Sequence, residues 1–269
     1  MDFLVAEDKT IFFYLLVLIL LIGAIQALSI GGLFFFKRSG DRRANWFYGI
    51  LLIIFGLTLL HNIVNFIGWH NDYPWLKFLP LYYTLSFPVL LFYHVKLSLY
   101  PAYRLKWTDV KHFILPVGQA VYFFTLFLMP VAYKAGIERT FFNPFYGAIE
   151  QGLYLLGFYA YMYFSHRYIK QRRLALKGRN RPRDKRAIFY LRVLIRVFLV
   201  LFIIHTIFVV GDFVYFKLFE INFRAVKAYV AFGMLSFAAL GIWLGIYGFQ
   251  VLFWGRKVFR GRLKVNKIR

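Results

Sequence analysis

The chain has 269 residues, of which 61% are hydrophobic and 22% aromatic, and it carries a formal net charge of +23 with no cysteine. Soluble domains use roughly 45–50% apolar residues, so the excess faces lipid and a soluble globular protein is excluded. Without cysteine there are no disulfides, thiolate metal sites or cysteine nucleophiles.

A membrane-crossing helix needs about 20 apolar residues. Seven runs reach that length, at about 10–36, 45–69, 75–100, 112–133, 145–168, 188–216 and 226–254. The expected fold is an all-α integral membrane protein, a seven-transmembrane-helix bundle over 1–254 with a basic cytoplasmic tail at 255–269. The N-terminus carries Asp2, Glu7 and Asp8, whereas a cleaved secretory signal begins with positive charge, so the first run is expected to stay as a span. Pro80 and Pro88 in the third run are candidate kinks.

Lys and Arg set the orientation. The connectors after the first, third and fifth runs are basic, and so is the tail. The densest stretch is Lys170–Arg186, with Arg172, Arg173, Lys177, Arg179, Arg181, Arg183, Lys185 and Arg186 besides Lys170 and only Asp184 against them. Segments of this kind stay on the cytoplasmic side and attract anionic lipid headgroups. The alternation predicts the N-terminus out and the C-terminus in. Gly178 and Pro182 argue against an unbroken helix through the basic stretch.

Lipid tails are as apolar as Leu, so spans associate through close packing and polar contacts. Ala238, Gly241, Gly245 and Gly248 recur at steps of three, four and three, on one face of the last run. That stripe is read as a helix-packing or partner face. Gly23, Ala27 and Gly31 form a shorter stripe in the first run.

Polar groups inside a membrane are costly and mark functional candidates. Five fall in the outer halves of their runs: His61 and Asn65 four apart, Glu150, and His205 and Asp212 seven apart. Turned inward, they would form a ligand pocket, with Tyr82, Tyr83, Tyr146, Tyr154 and Tyr215 able to line it. Gln26, Asn62, Gln119 and Gln151 are further polar candidates. The plainer reading of each is a hydrogen bond between helices, at about 1 kcal/mol or less. No metal-binding spacing, nucleophile elbow or phosphate loop occurs, so no metal or cofactor is expected. Haem ligation by His61 and His205 lacks any further mark. No internal repeat points to a transporter.

The order and spacing of several segments resemble a known family. They are Ile25-Gln26-Ala27-Leu28, the basic turn Lys37–Arg43 continuing as Ala44-Asn45-Trp46-Phe47, Pro88–Lys96, and Leu105–Pro116. Gln151-Gly152-Leu153-Tyr154, Arg167-Tyr168 and Gly245-Ile246-Tyr247-Gly248 follow. Over about 10–255 the chain is similar to the N-terminal multi-span region of the membrane-bound AraC-type regulators of Bacteroidota. In that family a helix-turn-helix DNA-binding domain of about a hundred residues follows. Fifteen residues follow Trp254 here, too few for such a core, so direct nucleic-acid binding is not expected.

The resemblance implies a non-enzymatic, sensor-like module of a bacterial inner membrane, acting through another membrane or cytoplasmic protein. The alternatives are an accessory subunit of a larger membrane complex, and a transporter or membrane enzyme without a recognisable signature.

Overall fold

A computed structural model describes residues 11–38, 40–138, 142–177, 182–219 and 226–265, with the backbone alone described at 182–183, 212–213, 215–219, 227 and 254–265. The described residues are helical, with no strand among them. In order they form α1 (Ile11–Phe35), α2 (Arg42–Ile67), α3 (Trp69–Asp72), α4 (Ser86–Leu99), α5 (Trp107–Val110), α6 (Ile114–Leu128), α7 (Val131–Ala135), α8 (Ala148–Ala175), α9 (Pro182–Phe219) and α10 (Lys227–Val265).

Among the described residues, five helices are long and apolar enough to cross a membrane: α1, α2, Trp107–Leu128 through α5 and α6, Asp184–Gly211 of α9, and Ala228–Phe253 of α10. The third and fifth expected runs differ. α4 has only 14 residues, about 21 Å at 1.5 Å per residue, against a hydrocarbon core of about 30 Å. The chain before it is not helical. Pro80 lacks an N–H, and the residue before a proline avoids the helical region. Phe78 has a φ of 66°. Pro88 lies in the first turn of α4, where a missing N–H leaves nothing unpaired. Neither proline therefore kinks a continuous span. α8 has 28 residues, long enough to span, but Glu150, Gln151 and its tyrosines make it less apolar.

Five long helices and the short α4 make a closed series in which each touches the next: α1, α2, α4, α8, α9, α10 and back to α1. α4 is the core of this bundle, with every residue from Thr84 to Leu97 buried. A helix apolar on all sides is a buried helix, which is why its sequence looks like a span. α1, α6 and α9 instead turn large apolar side chains outward, among them Ile25, Val121 and Ile207.

The small-residue stripe of α10 faces inward. A Cβ on Gly245 would stand 2.7 Å from the Gln26 side chain, and one on Gly248 2.9 Å from Ile30 and 3.1 Å from Tyr48. Gly241 meets the Phe55 ring, and Ala238 is fully buried. The face is covered by α1 and α2 of the same chain. α1 and α2 cross just as closely, since a Cβ on either Gly31 or Gly49 would lie 2.9 Å from the other's carbonyl oxygen.

Local signals fix the ends. Asp41 caps α2, accepting from Arg43 N at 2.8 Å and Ala44 N at 3.4 Å. Gly68 ends α2 in the left-handed conformation at φ 80°. α8 stops at Ala175, followed by a turn at Leu176 and Lys177, so its helix ends within the basic stretch. α10 runs on to Val265, carrying helix into the expected tail.

Candidate functional site

Four of the five expected pocket residues line one cavity of about 670 Å³. His61 and Asn65 enter from the C-terminal half of α2, Glu150 from the first turn of α8, and His205 from α9. The fifth, Asp212, lies outside the described side chains. Asn62, Gln151, Tyr82, Tyr146 and Tyr154 also line it. Tyr83 does not, its hydroxyl donating to the Pro80 carbonyl oxygen at 2.6 Å. Gln26 is spent against Gly245, and the Tyr215 side chain is outside those described.

Glu150 is the most enclosed of the four, 2% exposed. Its carboxylate accepts from the Thr84 hydroxyl, from Tyr82 Oη at 3.3 and 3.4 Å, and from Gln119 Nε2 at 3.4 Å. Gln119 also accepts from the Leu85 backbone N–H at 3.0 Å. These donors come from the irregular segment before α4 and from α6. Irregular backbone at membrane depth persists only where protein or a cavity satisfies it. Here Gln119 takes the Leu85 N–H, and the Thr58 hydroxyl lies 3.2 Å from the Leu81 carbonyl oxygen.

The histidines hold defined positions. The His61 ring lies 5.1 Å from the Tyr82 ring. His205 Nδ1 is 3.0 Å from Ser236 Oγ, whose proton goes to the Gly233 carbonyl oxygen at 2.7 Å. Nδ1 of His205 is therefore the donor, and Nε2 carries the lone pair. Near the mouth, His70 Nε2 donates to Asn65 Oδ1. Burial, and then the nearby Lys77 ammonium, push His70 below its ordinary value. Lys77 itself caps carbonyl oxygens, that of Lys134 at 2.8 Å.

Two residues that line the cavity each hold a buried polar atom with no hydrogen-bond partner, Tyr154 Oη and His70 Nδ1. Buried polar groups are nearly always paired, and an orphan costs about 1–3 kcal/mol. Among the described residues, no three His, Cys, Asp or Glu side chains are placed to hold a metal ion.

No family model, curated protein or solved structure matches this chain.

Thr84, Gln119, Lys77 and His70 complete the site beyond the five expected residues. Gln119 was visible as an intramembrane amide. Thr84 carried no signal, because a lone threonine in an apolar run reads as lipid-tolerant. Lys77 and His70 lie in and after a short connector in the sequence, and the structure places both in the cavity lining.

A second polar knot sits at the opposite end of α4. Lys96 Nζ lies 3.5 Å from Asp109 Oδ1. Asp109 also accepts from Tyr93 Oη at 2.8 Å, Tyr103 Oη at 2.9 Å and the Lys106 N–H at 2.8 Å. His94 Nδ1 is 2.9 Å from the Ala44 carbonyl oxygen, tying α4 to the start of α2. Of the basic stretch, Arg173, Lys177, Lys185 and Arg186 are exposed, and the Arg172 guanidinium lies over the Tyr100 ring at 5.5 Å. Arg179 and Arg181 lie outside the described residues, as does the Arg183 side chain.

Proposed function

We propose that this chain is a non-enzymatic sensor-like module of a bacterial inner membrane, which takes a small ligand in the cavity bounded by α2, α8, α9 and α10 and relays it to a partner protein. One observation carries the reading: side chains from six helices, α2, α3, α6, α8, α9 and α10, and from the irregular segment before α4 converge on a single cavity of about 670 Å³, within the range of small-molecule sites. α4 supplies the relay. Its start is bonded to Glu150 through Thr84, and its other end holds Lys96 and His94 in the second polar knot.

The orientation proposed is N-terminus out and C-terminus in, with seven crossings once α4 and α8 are added to the five apolar helices. Basic residues support it: Lys37, Arg42 and Arg43, Arg104 to Lys111, Lys170 to Lys177, and Lys185 and Arg186 lie at the helix ends opposite the cavity. The cavity then opens outward, and the basic end meets anionic headgroups and the partner. The likeness in motif order to the membrane half of AraC-type regulators supports sensing. The accessory-subunit alternative needs another docking face, because α1 and α2 cover the α10 stripe.

The test is native mass spectrometry of the chain purified in lipid nanodiscs, wild type against Gly233→Leu. A Cβ on Gly233 meets Phe208 at 3.7 Å, ordinary contact, so a side chain can start there, and the rest of leucine occupies cavity space. A bound small molecule in wild type that the variant loses supports the reading. Neither form carrying one, or both carrying it equally, sinks it.

A further inference from the structure

We infer that the outward face of α9 binds one anionic phospholipid, its phosphate held by Arg192, Arg196 and Arg173 and an acyl chain lying along Val200, Ile203 and Ile207. The inference shares with the functional reading only the placement of α9 in the membrane, since none of these residues lines the cavity. Arg192 and Arg196 lie inside the apolar stretch Asp184–Gly211, four apart and so on one face. Leu194, Phe198 and Phe202 turn the other side of the helix into the core. Arg192 is half-buried and Arg196 exposed. Charged side chains at membrane depth almost always face the bundle interior or a water-filled cavity, and they pair. Neither arginine makes a hydrogen bond or ion pair with a described residue, so their counter-charge comes from outside the chain.

The charges around them have one sign. α8 packs against α9, and the Arg192 guanidinium is near enough to those of Arg196 and Arg173 for their charges to repel it. Asp184 stands eight residues before Arg192, about 12 Å along the axis. Guanidinium groups gathered in this way match phosphate, which accepts their N–H groups in pairs. Basic pockets between helices on the cytoplasmic side hold acidic lipid headgroups in the same manner. The apolar continuation selects a lipid over a free phosphate. Val200, Ile203 and Ile207 are exposed and follow Arg196 at steps of four, three and four, on the same face. From Arg196 to Ile207 the helix rises about 16 Å, close to half of a hydrocarbon core of about 30 Å. One lipid of a single leaflet therefore fits, with its phosphate at the arginines and its chain down the apolar stripe. Its negative charge also offsets the repulsion between α8 and α9.

The experiment titrates the delipidated full chain in detergent with dioleoyl phosphatidylglycerol or dioleoyl phosphatidylcholine, read by native mass spectrometry. One phosphatidylglycerol should bind at least tenfold more tightly than phosphatidylcholine in wild type, a comparison that needs no variant to fold. Arg192→Gln combined with Arg196→Gln should abolish that preference. Arg104→Gln combined with Lys111→Gln removes the same charge from another exposed basic segment. Diffuse attraction predicts equal losses in the two double variants, whereas the site predicts a loss at least fivefold larger for the α9 pair. Because the chain has no cysteine, Val200→Cys can carry a single photoreactive label in native membranes, and it should crosslink to phospholipid. Equal affinity for the two lipids, equal losses in the two double variants, or crosslinking of Val200→Cys to a protein instead of lipid overturns the assignment. The last outcome would give this face to an acidic partner helix. None of these outcomes touches the cavity reading, whose test is the small molecule lost in Gly233→Leu.

Discussion

Tyr48 Oη donates to the Leu244 carbonyl oxygen at 2.6 Å, both groups buried, across the contact between α2 and α10. The same ring lies 3.1 Å from where a Cβ on Gly248 would stand, so the bond exists because glycine lets α10 approach. Tyr48→Phe keeps the ring and removes the donor. It should lower stability by about 1 kcal/mol, read as the shift of thermal unfolding in detergent. No shift would mean that the bond adds nothing to packing alone.

The α1–α2 crossing offers a sharper pair. Gly31 has the Gly49 carbonyl oxygen 2.9 Å from its would-be Cβ, while Gly32 next door has nothing within 4 Å. Gly31→Ala should cost about 1–3 kcal/mol, the usual penalty of overpacking, and Gly32→Ala should cost nothing. Thermal unfolding of both variants checks this; equal effects would contradict the close crossing.

Beside the C-terminal end of α4, Lys96 and Asp109 of α5 are 8% and 7% exposed. Removing one partner strands the other charge. Asp109→Ala should therefore cost about 3–5 kcal/mol, and adding Lys96→Met should recover part of it. A double-mutant cycle on unfolding measures the coupling. Additive losses would show that the pair is not energetically linked.

Acid should loosen the mouth of the cavity. His70 is held below its ordinary value of 6.5 by burial and by Lys77, so the unfolded chain takes up the proton first. Stability then rises with pH below about 6.5 and falls as acid is added. Neutral His70 donates to Asn65 through Nε2, and a proton on Nδ1 would be buried without an acceptor. The melting temperature of wild type should drop between pH 7 and pH 5 more steeply than that of His70→Gln. Parallel curves would remove His70 from the account.

The absence of cysteine makes orientation directly measurable. Single substitutions Asp72→Cys and Lys177→Cys should be labelled from opposite sides of intact cells by an impermeant maleimide, Asp72→Cys from outside. The reverse pattern would overturn the proposed topology.

The sequence by itself determined the class of molecule and its polarity of charge. Apolar runs such as Ile11–Phe35 can bury that much surface only against lipid, and Lys/Arg placement is local information. It also determined which residues were costly enough to matter: His61, Asn65, Glu150 and His205 stood out as polar groups in apolar runs. The end of α8 within the basic stretch was legible for the same local reason. Only the tertiary structure decided that the third run is a short buried helix, because a core helix and a lipid-facing one are equally apolar. It alone decided that the α10 stripe faces α1 and α2, since small residues signal close approach but not the neighbour. It also placed Thr84 and Gln119 on Glu150 and left Tyr154 Oη unpaired, because hydrogen-bond partners far apart in the chain are chosen by the crossing of helices.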